Sequence, residues 1–227
     1  MMKGTKVNLI KADLHIHSNY SNDSDISLDK LIERCHKLGL GAVAVSDHGT
    51  AVGGLRLVSM RPPFKVIVAE EILTTEGEII GLFLKETIPS GLSPEETIKR
   101  IHQQGGLVNV PHPFDHFRSS AMQAETLERI AVQIDIIEGF NARTIPLQDM
   151  SLPRRFAQQH HILMGAGSDA HSIIEVGRGY INMPDFTGSK DFLKAVASSR
   201  IHGDNPNLFI YAGTLTRRIA RRLRGKH

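Results

Sequence analysis

Twelve histidines are spread along a chain of 227 residues that has no tryptophan and only three tyrosines. Imidazole titrates near neutrality and is the commonest metal ligand, so where these side chains fall matters more than how many there are. His15 and His17 flank a single residue, Asp47 precedes His48, and Glu70 precedes Glu71. His112 lies between two prolines, and Asp169 stands two positions before His171. Each piece alone has an ordinary reading. A His-x-His pair arises by chance about 0.6 times at this histidine content. Asp47-His48-Gly49 suits a turn that opens a helix, Pro111-His112-Pro113 a stiff loop, and Gly167-Ser168-Asp169-Ala170-His171 a loop with a helix cap. Together they say more, because imidazoles and carboxylates gathered from separate segments form a divalent-cation site.

That gathering depends on the elements carrying them. Near-continuous apolar runs, as expected of strands buried on both faces, occur at Asn8 to Leu14, Ala42 to Ser46, Lys65 to Ala69, Glu78 to Leu84, Leu107 to Val110, Ile134 to Glu138 and Ile162 to Ala166. Between them run helical patterns. Leu28, Leu31, Ile32, Cys35 and Leu38 share one face of a helix that Gly39 ends. Ser93-Pro94-Glu95-Glu96 opens another with a cap and a first-turn proline, and Gly105-Gly106 closes it. Alternating strands and helices predict an α/β fold with a mostly parallel sheet, and about seven strands with no linker or repeat predict closure into a (β/α)-type barrel. The run from Glu78 follows the strand before it too closely for a crossover helix, so that pair reads as a hairpin and the barrel as distorted. In a parallel barrel all carboxyl ends of strands open on one face, where His15, His17, Asp47, His48, Glu70, Glu71, His112, Asn141, Asp169 and His171 would converge.

Charge and cysteine content narrow the setting. The formal net charge is +3, yet Arg217, Arg218, Arg221, Arg222, Arg224 and Lys226 supply six cations, and without them the remainder carries a formal −3. The basicity belongs to the tail, so residues 1–213 read as one domain and 214–227 as a basic helix or tail with Leu215, Ile219 and Leu223 as an apolar stripe. The tail is expected either to dock with a solvated basic face or to guide a polyanionic substrate. Cys35, the single cysteine, falls on the apolar face of the first helix and reads as core packing. With no disulfide to form, no signal-peptide pattern and no long apolar run, a cytoplasmic protein without membrane contact is expected. His36, His102, His160, His161, His202 and His227 read as surface residues, and His116 is ambiguous. No phosphate-cradling glycine loop or dinucleotide fingerprint is present, which disfavours nucleoside triphosphatases and dehydrogenases.

In order along the chain, Asp13-Leu-His15-Ile-His17-Ser18, Ser46-Asp47-His48, Glu71 after an apolar strand, Pro111-His112-Pro113 and Gly167-Ser168-Asp169-Ala170-His171 resemble the PHP (polymerase and histidinol phosphatase) family of metal-dependent phosphoesterases, over residues 9 to about 180. The resemblance implies a distorted (β/α)7 barrel with two or three divalent ions. His15, His17, Glu71 and Asp169 would hold one, Glu71 would bridge to a second with His112, and His48 with His171 would hold a third. Asp47, His48, Glu71 and His171 would serve the chemistry, with Asp13 and Asp47 orienting imidazoles behind the ligands. Donors of this kind, without thiolate, suit Mn²⁺, Zn²⁺ or Fe²⁺. Two positions depart from the family pattern. Where members carry a further His or Asp, this chain offers Asn22 and Asp23, and Asp23 is the expected ligand because a carboxylate binds cations better than an amide. Where members carry a histidine after the glutamate, Ile80 is expected, which would weaken the second ion. The segment from Ile137 to Tyr180 also resembles small stand-alone members, and this implies Asn141, Arg143 and Arg178 as substrate contacts.

The expected reaction is hydrolysis of a phosphate ester by a metal-activated hydroxide. Its substrate is a phosphorylated small molecule or nucleotide, with a short nucleic acid as an alternative partner. A histidinol-phosphate-type phosphomonoesterase and a non-catalytic module that retains metal or binds nucleic acid are the competing readings.

Overall fold

The computed structural model describes residues 8–144, 149 and 151–203, so the tail from 214 onward, with its expected helix, lies outside the described residues. Among the described residues nine strands and six α-helices follow one another as β1 (Leu9–Ile16), α1 (Leu28–Leu38), β2 (Leu40–His48), α2 (Val52–Ser59), β3 (Lys65–Thr74), β4 (Gly77–Leu82), α3 (Pro94–Gln103), β5 (Leu107–Val110), α4 (Ala124–Ile130), β6 (Ile136–Asn141), α5 (Ser151–His160), β7 (Leu163–Gly167), β8 (Gly179–Pro184), α6 (Ser189–Ala197) and β9 (Arg200–Gly203). The local chemistry anticipated at the two clearest helices holds. Ser93 Oγ accepts the Glu96 N–H at 3.2 Å with Pro94 in the first turn, and Gly39 ends α1 at φ +65°, a conformation a side chain would oppose.

The strands form one sheet in the order β7-β6-β5-β4-β3-β2-β1-β8-β9. β1, β2 and β3 run parallel, as do β5, β6 and β7. β4 is antiparallel to both of its neighbours, which confirms the hairpin and makes this strand the reversed stave of a nearly closed barrel. Closure is completed at the carboxyl end of β1, where Ile16 bridges Ala170 just past β7. There Asp169 N–H donates to the His15 carbonyl at 2.7 Å and His17 N–H to the Ala170 carbonyl at 3.0 Å. The other half of β1 pairs with β8, so β8 acts as a shim at the seam. β8 and β9 are absent from the strands expected from sequence. Tyr180, Asn182 and Pro184 on β8 are half exposed, and that broken apolar run hides the strand.

Pleat alternation sorts the side chains. Ala12, Leu14, Ala42, Ala44, Ile67, Ala69, Ile80, Leu82, Leu107, Ile136 and Ala166 fill the barrel, which continues into the edge-to-face rings of Phe83, Phe186 and Phe192. α1 and α2 pack outside β1 to β3 with Leu31, Cys35 and Leu57 fully buried, as read for Cys35. α3, α4 and α5 cover β4 to β7 through Ile98, Ile101, Leu127, Ile130 and Phe156. None of the described helices is long and apolar enough to cross a membrane.

Candidate metal centre

The carboxyl ends of the parallel strands, together with the start of reversed β4, form one mouth of the barrel. Strand extensions matter here. β1 runs on through Ile16 and β3 through Thr74, so His15 and Glu71 project from within strands and are held by the ladders on both sides. Period-two alternation separates the paired acids. Glu71 turns to the histidines, whereas Glu70 turns away and accepts the Ile88 N–H at 2.8 Å. At the turn after β5 and the loop after β7 the backbone itself takes left-handed φ values, +29° at His112 and +52° at Asp169, a strain typical of functional positions.

His15 Nε2 and His17 Nε2 face one another at 3.0 Å. Glu71 Oε2 lies 3.5 and 3.3 Å from them, and Asp169 Oδ1 3.7 and 3.4 Å. Their proton assignments follow from the partners. Glu138 Oε1, 2.8 Å from His15 Nδ1, can only accept, so that nitrogen carries the hydrogen. Ser21 Oγ gives its single hydrogen to Asp47 Oδ1 at 2.8 Å, so His17 Nδ1, 3.2 Å away, donates to it. With Nδ1 so engaged, the Nε2 atoms of both rings are the ones turned toward Glu71 Oε2 and Asp169 Oδ1. Asp169 Oδ1 is buried and makes no hydrogen bond. Four donors bonded at ~2.1 Å to a tetrahedral ion stand about 3.4 Å apart. His15, His17 and Asp169 form one candidate metal group whose spacing, 3.0 to 3.7 Å, fits a divalent transition metal, and Glu71 Oε2 stands beside both imidazoles.

Two further groups adjoin. His112 Nε2 lies 3.0 Å from Glu71 Oε1 and 3.4 Å from Glu78 Oε2, and His48 Nδ1 is 3.1 Å from Glu71 Oε2. His48, Glu71 and Glu78 form one candidate metal group, and His17, His48 and His171 form another. Asp23 faces the second, with Oδ1 3.6 Å from His48 Nε2 and Oδ2 3.3 Å from His171 Nε2. β4 therefore does supply a donor. Ile80 is packed inside the barrel, and Glu78, on the same face one layer nearer the mouth, takes the position facing the histidines.

The electrostatics carry the same demand for positive charge. Burial alone would drive the His15 imidazolium down, but Glu138, Asp169 and Glu71 hold its pKa well above the ordinary value. Burial, together with His171 and His48, pushes His17 well below its own. His48 overcomes burial through Glu71, Asp23 and Glu78 and rises to about 9. Against burial, His15, His48 and His112 keep Glu71 well below the usual carboxylate range, and Arg118, His15 and His17 do so for Asp169. Burial and the adjacent Glu71 charge raise Glu78.

The other expected residues fall as follows. Asp13 and Asp47 are fully buried behind the histidines, but neither touches an imidazole directly. Asp13 accepts the Ser168, His15 and Gly177 N–H groups, and burial raises its pKa to about 7. Asp47 binds Ser18 and Ser21 and reaches His17 only through Ser21. The mouth encloses about 170 Å³ lined by Asp23, His48, Glu78, Phe117, Arg118, Ser119, Ser120, Arg143, Asp169 and His171. Arg143 therefore reaches it, beside His171 Nδ1. Asn141 is a buried brace, donating to Glu138 at 2.9 Å and Asp169 at 3.3 Å. Arg178 does not line this cavity. Arg118 does instead, with Nη2 2.7 Å from Asp169 Oδ2. His116 is exposed and outside the cluster. A larger cavity of about 780 Å³ lies between α5, the start of β7 and β9, but among the described residues His161 is its only His, Cys, Asp or Glu lining residue.

Sequence reasoning also misses Glu138 and Glu175. Glu138 binds His15 Nδ1 and the His112 N–H, the latter at 2.7 Å. Glu175 Oε2 accepts the His171 and Ser172 N–H groups at 3.0 and 2.8 Å. The available signal was a lone carboxylate inside an apolar strand, in Ile136-Ile137-Glu138 as in Glu78-Ile79-Ile80, since such a group is almost never buried without a partner.

Comparison with known proteins agrees with this geometry. Residues 13–170 match the PHP domain family and 151–201 a PHP-associated family. An uncharacterized protein of Methanocaldococcus jannaschii is 42% identical over 145 residues, 59% of this chain and 82% of that protein. A second from the same organism is 35% identical over 195 residues, 81% of this chain and 78% of that one. Among solved structures, a two-domain Bacteroides vulgatus protein containing a predicted PHP-like metal-dependent phosphoesterase superposes with a TM-score of 0.71 at 16% identity. The match covers 87% of this chain and 65% of that one, so this chain spans slightly under two thirds of its length. A Bifidobacterium adolescentis protein with a provisional metal-dependent phosphoesterase label gives 0.59 at 18% identity, over 70% of this chain and 87% of that one. The motifs, the barrel and the family match converge, and the chain belongs to the PHP domain family.

Proposed function

We propose that this protein is a metal-dependent phosphoesterase that hydrolyses a phosphorylated small molecule or nucleotide at the barrel mouth. The observation that carries this reading is the convergence of His15 Nε2, His17 Nε2 and Asp169 Oδ1, with Glu71 Oε2 against both imidazoles, beside a cavity into which two arginines reach. The metal-dependent phosphoesterase labels of the structural neighbours support it. In this reading His15, His17, Glu71 and Asp169 hold one divalent ion; Glu71, Glu78 and His112 a second; and His48, His171 and Asp23 a third. Imidazole and carboxylate donors favour Mn²⁺, Zn²⁺ or Fe²⁺. Such ions, when bound, polarise phosphoryl oxygens and acidify a water enough for attack at neutral pH.

The chain's own groups do the rest. Glu138 and Ser21 fix the tautomers of His15 and His17, so that both offer Nε2. Asp47 acts through Ser21, as a positioning residue. Arg143 and Arg118 bring fixed positive charge and planar donor forks to the phosphoryl oxygens. Arg178, away from the cavity lining, has no part in this assignment. Cys35, the only thiol, is buried, and a cytoplasmic setting goes with this reading.

The test is to strip the protein with chelator, reconstitute it with Mn²⁺, Zn²⁺ or Fe²⁺, and assay sugar phosphates, nucleotides and oligonucleotides. Turnover should vanish on chelation and return with metal. Glu71→Gln should lose at least one bound ion by elemental analysis and turnover by orders of magnitude. No metal uptake, or uptake without turnover across the panel, would replace this reading with the non-catalytic one.

A further inference from the structure

The turn between β5 and α4 is organised by one carboxylate. Asp115 is buried, its Oδ1 accepts the Phe117 N–H at 3.0 Å, and its Oδ2 accepts Arg118 Nε–H at 3.1 Å. The Arg118 N–H returns to the Asp115 carbonyl at 3.0 Å. Two consecutive side chains are thereby sent in opposite directions. Arg118 turns inward to Asp169, and Phe117 turns outward onto the lip of the same cavity, 60% exposed.

That exposure is unusual for this protein's phenylalanines. Phe83, Phe186 and Phe192 pack against one another, and Phe114 packs against Phe156. A phenyl ring left in water forgoes the transfer free energy its burial would give, yet Phe117 is held there by a braced backbone. The cavity volume explains what it could meet. About 170 Å³ is well below the ~300–1,000 Å³ of a pocket that encloses a whole small molecule. Such a space takes the cations and a phosphoryl group and leaves the organic part of the ester at the mouth. Among the described residues, Phe117 is the only large apolar side chain in the lining there. A planar ring stacked on it would leave water on one face while the phosphate stays within reach of the arginines.

We propose that Phe117 is a specificity-determining residue that selects nucleotides, phosphate esters whose planar base stacks on its exposed ring. This rests on the phosphoesterase reading of the site. The probes are adenosine 5′-monophosphate and ribose 5-phosphate, which differ by the base alone, binding to the metal-reconstituted protein by titration calorimetry. The parent should favour the nucleotide by about tenfold or more, the scale of one base–aromatic stack. Phe117→Ala should abolish that preference and leave the ribose 5-phosphate affinity unchanged, and Phe117→Tyr should retain it. In steady state, Phe117→Ala should raise KM for the nucleotide more than it lowers kcat. Equal binding of both probes by the parent, or a preference that survives Phe117→Ala, would overturn the inference. Turnover of phosphate esters with no ring preference removes this inference alone, whereas no turnover of any ester removes the reading beneath it.

Discussion

The two nitrogens that face each other at 3.0 Å owe their orientation to atoms one layer further out. If Glu138 fixes the hydrogen on His15 Nδ1, Glu138→Gln, which can offer that nitrogen either a carbonyl or an amine, should weaken metal affinity about 10- to 100-fold. Competition with a chromophoric chelator would measure it, and unchanged affinity would remove Glu138 from the site's support. Glu70 shows the opposite use of a buried carboxyl. Burial lifts its pKa from 4.5 to about 7, against the opposing Ile88 hydrogen bond. The folded state therefore holds this proton more tightly than the unfolded chain, so the stability it contributes is full below pH 4.5 and is lost as pH rises to about 7. Denaturant titrations of the metal-free protein should show Glu70→Gln gaining on the parent across that window, by about 3 kcal/mol. A constant difference would show that Glu70 titrates normally. The clustered side chains His15, His17, His48, Glu71, Asp169 and His171 were legible in the sequence because their motifs sit beside strands. Glu78, Glu138 and Arg118 were not. A single acid in an apolar strand reveals its direction only once the pleat is known, and Arg118 reaches Asp169 across 51 positions of chain that no local pattern spans.

At the scale of elements, the sequence predicted every strand that is apolar on both faces, along with α1, α3 and the β3–β4 hairpin. It missed β8 and β9, whose alternating exposure reflects a sheet edge. That Glu78, and not position 80, brings a carboxylate to the cluster from β4 has a related reason. Residues 78 and 80 share a face, and on a strand running antiparallel to its neighbours the earlier of the two lies at the mouth. The approach of β7 to β1 needs a residue without a side chain. A methyl group on Gly167 would overlap His15 Cβ and press on Glu138 Oε1. Gly167→Ala should therefore both lower the thermal midpoint, by an overpacking cost of about 1–3 kcal/mol, and weaken metal binding. A variant with parental Tm and metal content would show that the two strands can part without consequence.

Across the whole molecule, a cluster of carboxylates and imidazoles is sequestered at one end of an apolar barrel, and divalent ions should bind the folded state far better than the unfolded one. Tm should then rise with the concentration of added Mn²⁺ or Zn²⁺ and fall on chelation, by the linkage that favours any state-selective ligand. A Tm indifferent to metal would mean that the ligands are not preorganised. The circle of strands is fastened at the Ile16–Ala170 bridge, where His17 N–H and Asp169 N–H cross from one side to the other. The donors that face one another around the proposed ion, His15 and His17 on one side and Asp169 on the other, stand on the two lips of that seam. An ion bound there would be a clasp as well as a reagent. Removing it should quicken amide hydrogen exchange at His17 and Asp169 first, while Val43 to Val45 in the parallel ladder of β2 stay slow. Equal acceleration at both would show a barrel that opens only as one unit. With the clasp gone, shortage of metal would be felt as a slit along one line of the barrel wall, long before the chain lost its fold.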